Sequence, residues 1–244
     1  MGSTCFVGVD LGQKQDHTGI AVVERVEKAG EWDPVVYAMR KVVEFDVRYL
    51  ERVPLGRSYP EVVERVRRVV RWPALAGRCR LAVDATGVGQ PVVDLLRKSD
   101  LGCGLMPVVI TAGHRERRER GQYCVPKRDL IAGVQVMLGQ GALKIAAGLE
   151  AGELLVREMA DMRVKVTGEG WESYGAWREG SHDDLVLAVA LACWAARKGY
   201  PPGLQGAAGY CRQEGNEPEG IKPGAGILTN VVKSDNMNPM RGMR

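Results

Sequence analysis

The sequence predicts an α/β fold: a central mixed β-sheet, with three antiparallel strands followed by parallel ones, flanked by helices. Three observations predict it. Short apolar runs of strand length end on single acidic residues, Cys5 to Asp10 and Leu81 to Asp84. Segments of helical spacing alternate with strand runs in the middle of the chain. Near residue 190 lies a 12-residue apolar run, Leu185 to Ala196, headed by Asp183 and Asp184. That run is too short to span a bilayer and suits a helix buried nearly all round.

The elements follow in order. Residues 5–10 read as a buried strand ended by Asp-Leu-Gly, residues 18–26 as a second strand and 35–43 as a third. The turn between the last two is expected at 30–34 (Gly-Glu-Trp-Asp-Pro), so the three strands form an antiparallel meander. Valines at 62, 63, 66, 69 and 70 give helical spacing over 60–71, with Pro60 near its start and Pro73 past its end. Residues 80–84 return to strand, 90–98 form a helix after Thr86-Gly87-Val88-Gly89, and 105–110 form a fifth strand. Strands four and five are joined through a helix and are therefore expected to be parallel. Two helices follow at 128–139 and 149–162, then a hairpin (164–167 and 171–177), then the last helix at about 182–198. Trp171, Tyr174 and Trp177 on that hairpin are expected to pack it on the core. Residues 1–199 thus form one domain, and 200–244, rich in Gly, Pro, Asn and Met without a period, form an irregular tail.

Composition narrows the function classes. The chain has 244 residues, 45% hydrophobic and 26% charged, enough for a sizeable core. A net charge of +4 is compatible with a polyanionic partner. Six cysteines without C-x-x-C spacing argue against a zinc site, and Cys5, Cys79 and Cys193 sit in apolar surroundings as buried thiols. Reduced thiols, no membrane span and no room for a signal peptide before the first strand point to the cytoplasm. No Walker A motif occurs, which excludes a P-loop ATPase.

The chemistry rests on the acidic residues. Asp10 and Asp84 each end a buried strand, and Asp183-Asp184 open a buried helix. An isolated buried carboxylate is costly, so three such places suggest that the fold gathers them around divalent cations. Hard oxygen ligands with few histidines suit Mg²⁺ or Mn²⁺. Each position also has an ordinary reading: Asp10 as a turn residue, Asp84 as a strand-to-helix turn, Asp184 as the acidic member of a capping box with Ser181. His182 and Lys127 are candidates for supporting or substrate contacts, with the ordinary reading of each a surface residue. Between 114 and 128, six Lys/Arg face two Glu, and Arg115, Arg117, Arg118, Arg120 and Arg128 are expected on a loop that either holds nucleic-acid phosphates or is simply a solvated charged loop.

Four motifs carry a family resemblance. They are Val7-Gly8-Val9-Asp10-Leu11-Gly12 with Asp16-His17-Thr18-Gly19-Ile20-Ala21, then Val83-Asp84-Ala85-Thr86-Gly87-Val88-Gly89, then Val125-Pro126-Lys127-Arg128-Asp129-Leu130, and Arg178-Glu179-Gly180-Ser181-His182-Asp183-Asp184-Leu185. Over roughly residues 5–198 the chain resembles the nuclease domain of phage terminase large subunits. The resemblance implies an RNase H-like fold. It also implies two Mg²⁺ or Mn²⁺ held by Asp10, Asp84 and the Asp183-Asp184 pair, Asp184 favoured as the main ligand with Asp183 contributing, and cleavage of double-stranded DNA during genome packaging. It places the protein in the host-cell cytoplasm, with a packaging ATPase, small terminase subunit or portal on other chains. The packaging ATPase that normally precedes the nuclease in that family has no counterpart in these residues, so the chain reads as an isolated domain, a separate prophage-derived gene, or a nuclease whose motor lies on another polypeptide. Three other readings use the same residues: a Holliday-junction resolvase or transposase-type nuclease, an actin-like ATPase relative, and a non-catalytic DNA-binding module.

Overall fold

Strand β1 (Ser3–Asp10) lies at the centre of the molecule because it is apolar from Cys5 to Val9 and has a partner on each side. It pairs antiparallel with β2 (Thr18–Asp33) and parallel with β4 (Cys79–Asp84). The other strands are β3 (Ala38–Val53), β5 (Gly104–Thr111), β6 (Arg117–Glu119), β7 (Gln122–Pro126) and β8 (Leu143–Ile145). Together they form an eight-stranded mixed sheet in the order β6-β7-β5-β4-β1-β2-β3-β8. Strands β9 (Met162–Val166) and β10 (Glu172–Ala176) form a separate antiparallel pair, where the sequence predicts a hairpin. The structure, a computed structural model, describes residues 3–12, 16–87, 89–166, 172–176 and 182–199. The expected tail, Ser181, Trp171 and Trp177 lie outside the described residues, and of Tyr174 only the backbone pairing with Val164 is described.

Alternation along the strands splits the core in two. Val7, Val9, Leu81 and Val83 pack with α1 (Tyr59–Val70) and α2 (Gly89–Lys98) on one face. Phe6, Ala82, Met106 and Val108 pack on the other with α3 (Lys127–Gly139), α4 (Gly152–Asp161) and α5 (Asp184–Lys198). The result is a three-layer α/β/α fold, as the sequence predicts. Helix α5 is buried from Asp184 to Ala196, which explains its unbroken apolar composition. It lies directly on β1 and β2 because two glycines admit it. A Cβ on Gly8 would stand 2.0 Å from the Ala188 carbonyl oxygen, and one on Gly19 would stand 2.4 Å from that of Asp184.

Three expectations need correction, and one strand has no expectation to match it. Strand β2 continues to Asp33 and β3 starts at Ala38, so the turn is at 34–37 and not 30–34. Gly30 and Glu31 are absorbed by a register shift between Ala29 and Trp32, a bulge that keeps the ladder going. The basic stretch is a loop only in part: Arg115 lies between β5 and β6, while β6 and β7 form a hairpin through Arg120 and Gly121, both at positive φ (48° and 80°), as a two-residue type I′ turn requires, and Arg128 lies in α3. The three-residue β8 pairs with β3, and no pattern in the sequence predicts it. Helix α5 starts at Asp184, with Asp183 as its N-cap residue, so Asp184 occupies the first helical position and not the third.

Cys5, Cys79, Cys124 and Cys193 are buried free thiols and Cys103 is half-buried. Among the described residues no helix is long and apolar enough to cross a membrane.

Candidate metal centre

Asp10 and Asp84 meet because β1 and β4 are parallel neighbours. Val9 and Val83 are register partners, so the two aspartates stand at adjacent C-terminal ends. Strand spacing there is about 4.8 Å. Both lie on the face shared with Phe6 and Ala82, which is the α5 face. The third contribution arrives from above. Gly19 is the register partner of Asp10, and the Asp184 backbone rests on Gly19. The first turn of α5 therefore sits over the end of β1, bringing Asp183 and Asp184 to Asp10.

The electrostatics reflect this convergence. Asp10 is 7% exposed, and no hydrogen bond reaches its carboxylate among the described residues. Burial, and then the charges of Asp84, Asp184 and Asp183, push its pKa well above the usual carboxylate range, with Lys127 partly offsetting them. Burial also raises Asp84, against hydrogen bonds from the Thr86 hydroxyl and from the Thr86 amide (2.9 Å). Thr86 is itself fixed, since its hydroxyl oxygen accepts from the Ile110 amide at 2.8 Å. Asp184 is raised by burial and by Asp183, and opposed by Arg52 and His182. Four carboxylates gathered here, three of them with raised pKa, form a place where a cation would relieve repulsion.

Basic side chains border this group. Lys127 opens α3 immediately after β7 and donates to Asp183 Oδ2 at 2.7 Å. Arg52 Nη2 donates to Asp184 Oδ2 at 3.2 Å. His182 Nδ1 stands 3.9 Å from both Asp16 Oδ1 and Asp184 Oδ2, and its ring meets that of His17 edge-on at 5.5 Å. His17 Nδ1 is 2.9 Å from the Val53 carbonyl oxygen.

The donor set fits a hard divalent ion: carboxylates only, one of them, Asp10, buried with no hydrogen-bond donor among the described residues. Among the described residues no three metal-ligating side chains are already drawn together into a ligand cluster. Two of the four aspartates are instead held by Lys127 and Arg52, and like charges keep carboxylates apart.

The basic residues lie along one edge. Asp84 is level with Val108, Val108 with Tyr123, and Tyr123 with Arg118, a continuous row across β4, β5, β7 and β6. At about 4.8 Å per strand, Arg118 is roughly 14 Å from Asp84. Its guanidinium lies 5.0 Å from the Tyr123 ring centre. Arg115, Arg117 and Arg120 are exposed on the same hairpin segment, and Arg117 pairs with Glu119. Arg128 is engaged with Asp129 and His114. Glu116 is turned inward to Trp194 and Lys198, tying this segment to α5.

Sequence reasoning missed Arg52 and Glu158. Glu158 is 6% exposed, and its Oε2 accepts from the amides of Leu185 (3.0 Å) and Val186 (3.3 Å). These are two of the donors that a helix start leaves without a partner, so Glu158 seats α5 where the sequence predicts a Ser181 cap. A signal exists: Glu158 stands three residues after Leu155, on the buried side of an amphipathic helix. Arg52 leaves no such mark, because its role depends on pairing with Gly19 across β2 and β3.

No protein-family model matches the chain, and no curated protein matches it. Solved structures do. The large terminase nuclease from thermophilic phage G20c with bound magnesium superposes with a TM-score of 0.52 at 20% identity, covering 79% of this chain and 81% of that one. A second structure of the G20c nuclease gives a TM-score of 0.50 at 20% identity, over 78% and 81%. A mutant nuclease domain of the large terminase subunit gp2 of bacterial virus Sf6, with manganese and β-thujaplicinol, gives 0.53 at 11% identity, over 78% and 87%. At these identities the likeness is one of architecture, and the architecture of this chain is that of the nuclease domains of phage large terminases, the RNase H-like fold.

Proposed function

We propose that this chain is a metal-dependent endonuclease that cleaves double-stranded DNA, of the kind that acts in phage genome packaging. The observation that carries the reading is the convergence of Asp10, Asp84, Asp183 and Asp184 at the C-terminal ends of β1 and β4, with Asp10 buried. The magnesium and manganese in structures of the same fold favour the same metals here.

Asp10, Asp84 and Asp184 would hold two Mg²⁺ or Mn²⁺, with Asp183 contributing. When bound, such ions lower the pKa of a water and neutralise charge developing on a phosphodiester. The chain's own residues do the rest. Thr86 fixes the Asp84 carboxylate. Lys127 keeps Asp183 oriented and offers a positive charge beside the scissile phosphate. His182, between Asp16 and Asp184, is placed to contact the substrate or to move a proton at Nδ1. Arg115, Arg117, Arg118, Arg120 and Arg128 would hold the duplex backbone, and phosphate contacts of this type carry little base specificity. Packaging partners would be an ATPase, a small terminase subunit or a portal, and the site of action would be the host-cell cytoplasm.

The test is nicking and linearisation of a plasmid with Mg²⁺, Mn²⁺ or EDTA, run beside a four-way junction. Metal-dependent cleavage of plain duplex supports the reading. Absence of cleavage with either metal refutes it, and cleavage confined to the junction moves the protein to the resolvase class.

A further inference from the structure

Two polar atoms at the inner wall of the carboxylate site are buried without a hydrogen-bond partner among the described residues: Arg52 Nε, a donor, and Glu158 Oε1, an acceptor. The other ends of both side chains are engaged. Arg52 Nη2 donates to Asp184 Oδ2 at 3.2 Å, and Glu158 Oε2 accepts from the Leu185 and Val186 amides at 3.0 and 3.3 Å. Buried polar groups without partners are rare and costly, so a complementary orphan pair calls for a reason. Both groups are within electrostatic reach of each other and of Asp184: Arg52 lowers the Glu158 carboxyl pKa and Asp184 raises it.

The charges supply the reason. Asp184 is 4% exposed and must have a positive partner to remain ionised. Arg52 is that partner. A divalent ion at Asp184 would do the same work more strongly and would repel the guanidinium. The nearby carboxylate with a free oxygen is Glu158, and the free donor of Arg52 matches it. We propose that Arg52 is a placeholder cation, which neutralises Asp184 when no metal is bound and passes to Glu158 when a divalent ion takes Asp184. The inference rests on Asp184 being a metal ligand, as in the function proposed above. Arg52 and Glu158 are positioning residues in this scheme: they touch neither the substrate nor the ion.

The scheme makes opposite predictions for the two side chains. Arg52→Gln removes the competitor and tightens Mn²⁺ binding. Glu158→Gln removes the charge that receives Arg52, while its amide oxygen still accepts from the α5 amides, so it weakens Mn²⁺ binding. Each shift is expected to be about tenfold, within the range of coupling between linked binding events. The double variant behaves like Arg52→Gln alone, since Glu158 acts only through Arg52. A purely structural role for both would weaken binding in both.

The measurement is calorimetric titration of Mn²⁺ into the full chain without DNA, with thermal unfolding in EDTA as the check on folding. Opposite shifts support the placeholder. Shifts in one direction, or none, overturn it. Should Arg52→Gln not fold, Glu158→Gln decides alone, and unchanged Mn²⁺ affinity there overturns the proposal. Wild-type protein that binds no Mn²⁺ overturns instead the metal-nuclease reading on which it rests.

Discussion

Replacing Gly19 by alanine tests how the fold delivers its carboxylates. Gly19 is not held at positive φ, so alanine meets no backbone objection there. The obstacle is space: its Cβ would sit 2.4 Å from the Asp184 carbonyl oxygen and 2.8 Å from the carbonyl carbon. Both are backbone atoms and cannot rotate away. The 2.4 Å approach must open to at least 3.0 Å, so the first turn of α5 retreats by about 0.6 Å or more. Overpacking of this kind costs about 1–3 kcal/mol. For a domain near 200 residues that lowers Tm by roughly 2–4 °C per kcal/mol. The larger effect falls on activity, because the displaced turn carries Asp183 and Asp184. A misplacement near 1 Å costs on the order of 100-fold in rate, so a loss of roughly 10- to 100-fold is expected. The assay is Mn²⁺-dependent plasmid cleavage at a temperature where the variant is folded. Gly139→Ala is the control, since a Cβ there meets nothing within 4 Å. Gly19→Ala protein with wild-type Tm and wild-type cleavage would refute the close seating of α5 on β2.

Further outcomes follow from the charges. Glu158 has its carboxyl pKa raised from 4.5 to about 7, chiefly by burial. Between those values the folded state holds a proton that the unfolded state has released, so metal-free stability falls as pH rises through that window. Asp10, Asp84 and Asp184 are raised in the same direction and add to the trend. Urea midpoints in EDTA across the window should decline, and Glu158→Gln should flatten part of the decline; a midpoint that rises with pH contradicts the assignment. Alanine at Arg115, Arg118 and Arg120 together should leave Tm unchanged, because all three are exposed. It should lower the salt dependence of duplex binding by about 0.9 in log-log slope for each phosphate that is no longer neutralised. An unchanged slope would place the DNA elsewhere.

How much of this is visible in the sequence depends on whether a feature is local. The apolar run ending at Asp10, the run ending at Asp84 and the apolar helix behind Asp184 are each written in consecutive residues, and each is found where the pattern puts it. Their convergence follows from strand order, which short apolar strands joined through a helix suggest. The turn at 34–37 is not legible, because Gly30 imitates a turn while serving a bulge. Strands β6 and β8 have three residues each, too few for a period to show. Lys127 is readable as a basic residue, and its partner Asp183 is not, since 56 residues separate them. Arg52 and Glu158 are the deepest omissions. One acts across two strands and the other between two helices, and no stretch of sequence records either relation.

The central claim is that Asp10, buried among three other aspartates, is part of a divalent-metal centre that cuts DNA. Asp10→Asn keeps the shape and removes the charge. With Mn²⁺ and supercoiled plasmid, wild type should nick and linearise the DNA. The variant, folded and at least as stable as wild type in EDTA, should leave it intact. Equal cleavage by folded Asp10→Asn protein would contradict the account.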